Sequence, residues 1–494
     1  MTTPTPPAGK ASPAKGTLVS LIPIAVLVAL LALDISVFGS DAILGASQVS
    51  LLFSAGVCIA LSMFFFKTPW KAFEDAIKAN VGDITTAIVI LLLIGGISGT
   101  WTVSGIVPAF ICYGVKIISP KVFLLTACVI CAFVSVMTGS SWTTIATIGV
   151  ALMGIGKAQG FSDGIIAGAI ISGAYFGDKI SPLSDTTVMA SSLNRVPLFD
   201  HIRYLMMTTV PSMTVALVIF TVLGLSAHTA DPAEIRVYTD VLEARFHLTP
   251  WLMVVPVLTA VLIARKRPAL VVLGLSVLMA AVAALLFQTD LIREIGRSVT
   301  TGSPARILFA GTVETVYNTV SIPTGNEAVD ALVAPRGMLG MLNTIYLIIA
   351  AMCFGACMKA GGMITRISSL LVPLTRTRTG LVASTVLTGT ALDGLVSDQY
   401  LAIILTSDMF RDTYAREGYE ARLLSRSVED SATVTSPLFP WSSCGMTQAT
   451  ILSVPTLAYL PYCFFNLISP LMSIFIAAIG WRIYKTNPIN SEKE

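Results

Sequence analysis

Apolar segments long enough to cross a lipid bilayer recur along the whole chain, from Leu21 to Ile479. A bilayer core about 30 Å thick requires a helix of about 20 apolar residues. By this measure the pattern predicts spans in both halves of the chain, at about residues 20–36, 47–66, 83–104, 204–226, 249–264, 268–287, 339–358 and 455–479. The chain is therefore predicted to be an all-α polytopic membrane protein.

Two polar interruptions recur in the same order in each half. The first is a polar tip between two apolar arms, and the second is a broken apolar run that contains Ser-Pro-Leu. They lie at Thr138–Thr144 and Gly177–Asp185 in the first half, and at Leu392–Asp398 and Glu429–Gly445 in the second. We interpret the two-armed segments as re-entrant hairpins. Each half then crosses the membrane five times, through four spans and the broken run. Since an odd number inverts the second copy, the sequence predicts two inverted repeats of five transmembrane helices, each with a re-entrant hairpin and a broken helix.

The repeats define the expected organisation of the chain. We expect a polar cytoplasmic tail at 1–19, a first membrane repeat at 20–226, an extracytoplasmic linker at 227–248, a second membrane repeat at 249–480 and a cytoplasmic tail at 481–494. With a cytoplasmic N-terminus, roughly two thirds of the 31 Lys and Arg residues fall on the cytoplasmic side, as the positive-inside rule requires. The distribution of positive charge therefore favours the inverted arrangement.

Composition narrows the class of protein. Hydrophobic residues make up 54% of the 494 residues and charged residues 12%, about half the charged share of soluble proteins. A soluble enzyme is therefore excluded, and most of the surface is expected to contact lipid. The net charge of +3 is too small for nucleic-acid binding by bulk charge. The eight cysteines lie in or beside apolar runs and are interpreted as small core residues, and no cofactor is predicted.

Carboxylates cluster at the four interruptions. A break in a helix at membrane depth is tolerated only where protein or a water-filled cavity surrounds it, and paired breaks in two halves of a chain indicate the binding site of a transporter. Carboxylates within the membrane are costly and usually functional. Those at the interruptions are Asp178, Asp185, Asp393, Asp398, Glu429 and Asp430.

Ser and Thr residues surround these carboxylates, and the combined oxygens are typical of a site for a hard cation such as Na⁺. A single hydroxyl in a membrane helix more often bonds to the backbone or a neighbouring helix, and for Asp393, beside Gly394, a structural role in a turn or helix cap weighs equally with ion binding. We predict that ions or protons bind at Asp178, Asp185, Ser181, Ser184, Thr186, Ser140, Ser141, Thr143, Asp393, Asp398, Asp430, Ser442 and Ser443. Na⁺ itself is expected at Asp178, Asp185, Ser140 and Thr143.

Lys179 is the only basic residue that this arrangement places within the membrane. Two roles are open: a structural pair with Asp178 or Asp185, or a positive charge that substitutes for Na⁺ at the carboxylates when the ion is absent. The three histidines, His201, His228 and His247, fall outside the predicted spans.

At these residues the chain resembles a known family. The segments GSSWTT (139–144), GAYFGDKISPLSDTT (173–187), GTWTVSGIVP (99–108) and SPLFPWSSCG (436–445) are similar to the NhaC family of Na⁺/H⁺ antiporters, within the wider ion-transporter superfamily. The resemblance implies a secondary antiporter of the bacterial inner membrane with inverted repeats and re-entrant hairpins, and a homodimer that uses an elevator motion. Some members of this family exchange organic acids, so the resemblance leaves the substrate open.

The predicted activity is exchange of Na⁺, or Li⁺, for H⁺ across the inner membrane at shared intramembrane carboxylates. One alternative is a Na⁺/H⁺-coupled exchanger of organic acids, of the malate/lactate type, or of amino acids. An organic carboxylate needs fixed positive partners, and the expected spans offer only Lys179 and helix N-termini. A second alternative is an intramembrane aspartyl protease, but in its Gly-x-Gly-Asp motif Tyr175 replaces the first glycine. Two repeats suit a transporter better.

Overall fold

A computed structural model of the chain describes residues 13–38, 45–227, 232–265, 267–333, 337–368 and 377–485. The expected tails at 1–19 and 481–494 lie for the most part outside these residues. Within the described part of the chain the structure is helical, and the only β-type pairing is an isolated bridge between Tyr419 and Lys485.

The first half of the chain forms eleven α-helices within the described residues. In chain order they are α1 (Pro13–Phe38), α2 (Ala46–Leu61), α3 (Trp70–Asp83), α4 (Thr85–Val103), α5 (Ile106–Ile117), α6 (Phe123–Thr138), α7 (Ser141–Thr144), α8 (Val150–Ala158), α9 (Asp163–Ile180), α10 (Asp185–Leu193) and α11 (Leu198–Ser226). A π-helical turn, Ile145–Gly149, joins α7 to α8. These bounds match the predicted two-armed segment and broken run.

The second half forms a further fourteen α-helices within the described residues. They are α12 (Pro232–Arg245), α13 (Val254–Ala264), α14 (Ala269–Phe287), α15 (Thr289–Val299), α16 (Pro304–Tyr317), α17 (Glu327–Leu332), α18 (Leu342–Ala360), α19 (Met363–Ser368), α20 (Arg378–Val396), α21 (Gln399–Arg416), α22 (Ala421–Val428), α23 (Ser443–Leu452), α24 (Thr456–Tyr459) and α25 (Phe464–Ile479). The expected linker at 227–248 contains a helix, α12, which packs on α5 and buries Leu242.

Seven of these helices are long and apolar enough to cross a membrane, and the number rises to ten if each of three bent helix pairs is one span. The axes of α4 and α5 meet at 67° and those of α12 and α13 at 93°, while the third pair bends by 55° just before α25. These lengths and the helical content confirm the predicted all-α polytopic membrane fold. The inverted relation of the two halves stays a prediction.

The tips of the two hairpins share one backbone conformation. After α6, Gly139 has a positive φ of 67° and Ser140 is extended, with its hydroxyl accepting the Thr143 N–H at 3.2 Å. After α20, Ser397 has a positive φ of 61° and Asp398 is extended, with its carboxylate accepting the Leu401 N–H at 2.9 Å. Each tip is therefore a left-handed helix end followed directly by an N-capped helix.

Close packing brings the first hairpin onto the first broken helix. A Cβ on Gly173 would lie 2.1 Å from the Cys128 carbonyl oxygen, and one on Gly177 would lie 2.4 Å from that of Ala132. Only glycine therefore lets α9 approach α6 this closely. The contact ends in a hydrogen bond from the Ser135 hydroxyl to the Ala174 carbonyl at 2.6 Å, one turn before the break that carries the candidate carboxylates.

The second hairpin is joined to the second break in a similar way. The Trp441 indole N–H donates to the Gly394 carbonyl at 2.7 Å, and the Ser443 N–H donates to the Ser397 carbonyl at 2.8 Å. The break itself consists of a π-helical turn, Glu429–Thr433, and a short 3₁₀ turn before α23 begins. Each half therefore packs a hairpin tip against a broken helix.

Candidate functional site

Asp178 lies in the last turn of α9, where the hairpin tip meets the break. Its side chain is 7% exposed. One carboxylate oxygen, Oδ2, accepts the backbone N–H of Ser141 at 3.1 Å and the Ser141 hydroxyl at 2.7 Å. Both donors belong to the first residue of α7, so the carboxylate faces the N-terminal end of the helix that follows the tip. The structure thus joins two predicted site residues, Asp178 and Ser141.

Further predicted residues of the first half surround this carboxylate. The Ser184 side chain lies beside Asp178 and bonds to the Thr186 hydroxyl at 2.9 Å. Asp185 begins α10 and is exposed, within electrostatic range of Asp178. The Ser181 hydroxyl donates instead to the Val136 carbonyl at 2.8 Å, so this side chain links the break to α6.

Ser140 and Thr143 bond to each other at the first tip. The Ser140 oxygen accepts both the backbone N–H of Thr143 and its hydroxyl, the latter at 3.1 Å. In this structure the Ser140 hydroxyl therefore caps α7 and the Thr143 hydroxyl donates to it, and their expected role as Na⁺ ligands stays a prediction.

Two of the five predicted residues of the second half cap helices. Asp398 caps α21, and the Ser442 hydroxyl accepts the Gly445 N–H at 2.9 Å and caps α23. Ser443 bonds to the second tip through its backbone. Asp393 caps neither helix: it is fully buried in the last turn of α20 and accepts the Thr435 hydroxyl at 2.7 Å. The helix cap at the second tip is therefore Asp398, and ion binding at Asp393 stays a prediction.

Lys179 pairs with Asp430 and not with Asp178 or Asp185. Its ammonium group bonds to Oδ1 of Asp430, and both side chains are fully buried. The same oxygen accepts the Thr208 hydroxyl at 2.9 Å, and the ammonium donates to Ser469 at 2.8 Å. The reason is helical geometry, because neighbouring residues in a helix point about 100° apart. Asp178 therefore faces the tip of its own half while Lys179 faces the second half.

Arg426 is a second fully buried basic residue close to Lys179, and its depth relative to the membrane stays a prediction. The guanidinium lies 3.7 Å from Oδ2 of Asp430 and 4.9 Å from the centre of the Tyr204 ring. The i, i+4 spacing of Arg426 and Asp430 was a signal for this pair, since residues four apart lie on one face of a helix.

His201 lies in the first turn of α11, which begins at Leu198, six residues before the predicted span. The imidazole is fully buried, with Nδ1 2.8 Å from the Ser425 hydroxyl. His247 lies in the bend between α12 and α13, and His228 lies outside the described residues. The expected position of the histidines outside the membrane spans stays a prediction.

The two breaks differ in charge. Asp178 has hydroxyl and N–H donors, and within the described residues no Lys, Arg or His nitrogen lies within ion-pair distance of it. Asp430 has two cationic neighbours. A buried carboxylate that is not neutralised by the protein needs a proton or a cation, and hydroxyl and carboxylate oxygens suit Na⁺. Asp178 therefore meets the requirements for binding either a proton or a cation.

Comparison with known proteins identifies the family to which the chain is related. A model of the Na⁺/H⁺ antiporter family matches residues 11–192 and 173–481. The chain is 34% identical to the Na⁺/H⁺ antiporter NhaC of Alkalihalophilus pseudofirmus over 88% of its own length and 92% of the relative's. It is 33% identical to a malate-2H⁺/Na⁺-lactate antiporter of Bacillus subtilis (86% and 88%) and 31% identical to the arginine/ornithine antiporter ArcD of Halobacterium salinarum (96% and 94%).

Proposed function

Because this chain belongs to the NhaC-type Na⁺/H⁺ antiporter family, we propose that it exchanges Na⁺, and also Li⁺, for H⁺ across the bacterial inner membrane. The observation that carries the proposal is the Asp178 carboxylate, which is buried and bonded to Ser141 without a cationic partner in the described residues. A carboxylate in this position is neutral only with a bound proton or a bound cation. Exchange of one for the other is antiport.

In the proposed mechanism Na⁺ and H⁺ compete for Asp178. When the site opens to the side rich in protons, the carboxylate takes a proton and Na⁺ leaves. When it opens to the other side, the proton leaves and Na⁺ binds with neutral oxygens from Ser141, Ser184 and the helix ends at the break. The Lys179–Asp430 pair keeps its charges throughout, so Lys179 is a structural partner in this mechanism and not a substitute for Na⁺. Competition implies that a lower pH raises the Na⁺ concentration needed for half-maximal transport.

The membrane arrangement is part of the proposal. The matching tips after α6 and α20 support two related repeats, which we propose to be inverted, with cytoplasmic termini. We also propose a homodimer in which the hairpins and broken helices move together as an elevator. Cysteine labelling tests the orientation: residues near Arg378 and Arg422 should react only from the cytoplasm, and residues near Lys121 and Lys157 only from outside.

A second candidate function is coupled exchange of an organic acid or an amino acid. Two observations favour it: one relative is a malate-2H⁺/Na⁺-lactate antiporter and another an arginine/ornithine antiporter, and Arg426 adds a second buried cation to Lys179. Lys179 bonds to Asp430, whereas the Arg426 guanidinium lies 3.7 Å from that carboxylate and has no hydrogen-bond partner among the described residues, so Arg426 is the candidate partner of a substrate carboxylate. We place Na⁺/H⁺ exchange first because the matching family model and the relative of 34% identity are those of Na⁺/H⁺ antiporters.

Proteoliposomes with a trapped pH-sensitive dye distinguish the two functions. The purified chain, under an imposed proton gradient, is given Na⁺, Li⁺ or K⁺ in turn, with or without malate, lactate or arginine. We expect Na⁺ and Li⁺ alone to move protons. Proton movement that requires one of the organic compounds would support the second function and refute the first.

A further inference from the structure

Glu429 is a buried carboxylate that has no role in the exchange site described above. It is the first residue of the π-helical turn Glu429–Thr433 in the second break, and its side chain is fully buried. Single π-helical turns within α-helices frequently occur at functional sites, because the wider turn displaces side chains from the regular helical positions. The distortion lies directly at this carboxylate.

The partners of Glu429 leave its charge uncompensated. The Thr433 hydroxyl donates to Oε2, whereas Oε1 has no hydrogen-bond partner among the described residues. In the same part of the chain no Lys, Arg or His nitrogen lies within the 4.0 Å limit of an ion pair with Glu429. One neutral hydroxyl does not offset the cost of burying a carboxylate, which amounts to several kcal/mol.

Asp430, the next residue, is a buried carboxylate that has cationic partners within the protein. Asp430 has the Lys179 ammonium on one oxygen and the Arg426 guanidinium beside the other. Both buried cations lie within ion-pair distance of Asp430, and neither forms an ion pair with Glu429. A bound cation or a proton can therefore act as the direct partner of the Glu429 carboxylate.

Glu429 faces the first break. Helix α10, which begins at that break and contains Thr187, packs against the π-helical turn that starts at Glu429, and the Glu429 carboxylate lies within electrostatic range of Asp178 and Lys179. Thr187 is itself fixed to that break, because its hydroxyl donates to the Lys179 carbonyl at 3.0 Å. Asp178 and Glu429 thus approach one region from opposite halves of the chain, with the hydroxyls of Thr187 and Thr433 beside them.

We propose that Glu429 is a second carboxylate ligand of the transported cation and binds it from the second half while Asp178 binds it from the first. The proposal rests on Na⁺/H⁺ exchange at Asp178. Carboxylate and hydroxyl oxygens are the ligands that a hard cation prefers. A cation held between the two breaks also links the halves, so its affinity depends on both carboxylates.

Counterflow of ²²Na⁺ in proteoliposomes at equal pH on both sides tests this role, because it measures cation binding and translocation without a proton gradient. The test variant is Glu429→Gln, which keeps the size of the side chain and can still accept the Thr433 hydroxyl. The matched control is Glu243→Gln, at an exposed ion pair with Lys116. We expect the half-saturating Na⁺ concentration to rise at least tenfold in Glu429→Gln and to stay at the wild-type value in Glu243→Gln. A wild-type value in Glu429→Gln would overturn the proposal.

Glu429→Asp keeps the test decisive if the glutamine variant fails to insert. This variant retains the charge but withdraws it by one methylene group, so a ligand role predicts a changed ratio of Na⁺ to Li⁺ counterflow. An unchanged ratio would contradict a ligand role. The wild-type protein separates this proposal from the proposed function: wild-type protein without Na⁺ counterflow refutes Na⁺/H⁺ exchange itself, whatever the variants do.

Discussion

The two broken helices contain the same kind of buried carboxylate in opposite electrostatic settings. At the first break, Asp178 accepts two hydrogen bonds from Ser141 and has no cationic partner in the described residues. At the second break, Asp430 lies between Lys179 and Arg426. The first carboxylate can accept a transported cation, and the second is already neutralised. Burial of a carboxylate alone therefore does not identify a transport site. The groups that neutralise its charge must also be considered.

The sharpest way to test this comparison is to remove the charge of Asp178. Asp178→Asn should abolish Na⁺-dependent proton movement, because an amide neither releases a proton nor neutralises a dehydrated Na⁺. The protein should still insert in the membrane, since the amide can accept the same Ser141 bonds. The control is Asp34→Asn in α1, where the carboxylate accepts the Ser50 hydroxyl at 2.7 Å, and its activity should equal that of wild type. Near-normal exchange in Asp178→Asn would show that the site lies elsewhere.

Removing Lys179 should affect the fold more than the transport site. Lys179→Ala leaves Asp430 without its ammonium partner, and breaking a buried ion pair on one side costs about 3–5 kcal/mol. We expect a large fall in melting temperature in detergent. Adding Asp430→Ala should cost less than the sum of the two single changes, because the pair acts as a unit. Strict additivity of the two changes would mean that the residues do not interact.

The first hairpin tip should be sensitive to a single added methyl group. Gly139→Ala places a side chain at a positive φ, which costs about 1–2 kcal/mol, and its Cβ would lie 2.6 Å from the backbone of Leu183. We expect lower stability and a weaker exchange activity. Gly56→Ala in α2 meets no atom within 4 Å and should be neutral or slightly stabilising, since alanine favours a helix. Equal melting temperatures for the two variants would argue against the close contact between tip and break.

A smaller effect is expected from the hydroxyl of Ser141. Ser141→Ala removes the side-chain donor to Asp178 but keeps the backbone N–H, and a hydrogen bond to a charged group contributes about 1.5–3 kcal/mol. We expect the half-saturating Na⁺ concentration to rise about tenfold with the maximal rate little changed. Transport kinetics in proteoliposomes give both quantities. An unchanged Na⁺ dependence would assign Ser141 to the fold alone.

Much of the fold was predictable because lipid imposes a simple length and polarity rule. The predicted interruptions at 138–144 and 392–398 contain the turns that follow α6 and α20, but helix extends further into both than expected, and Asp178 lies in the last turn of α9 before the first break. Asp178 stood out because it lies between Gly177 and Lys179 in a Pro-containing break.

The pairing of charges was not predictable in the same way. Lys179 follows Asp178 in the sequence, yet it bonds across the molecule to Asp430, because the direction of a side chain depends on how helices from both halves pack. The contact of His201 with Ser425 likewise joins residues 224 positions apart, so no local pattern in the sequence indicates it. In each case the missing information was tertiary contact.

The central claim is that Na⁺ displaces a proton from Asp178. Isothermal titration of the purified protein with Na⁺, in two buffers of different ionisation enthalpy, measures the protons released on binding. Wild-type protein should release protons as Na⁺ binds, and Asp178→Asn should neither bind Na⁺ with comparable affinity nor release protons. Na⁺ binding by wild type with the same heat in both buffers would mean that no proton leaves, and it would contradict competition at a shared carboxylate.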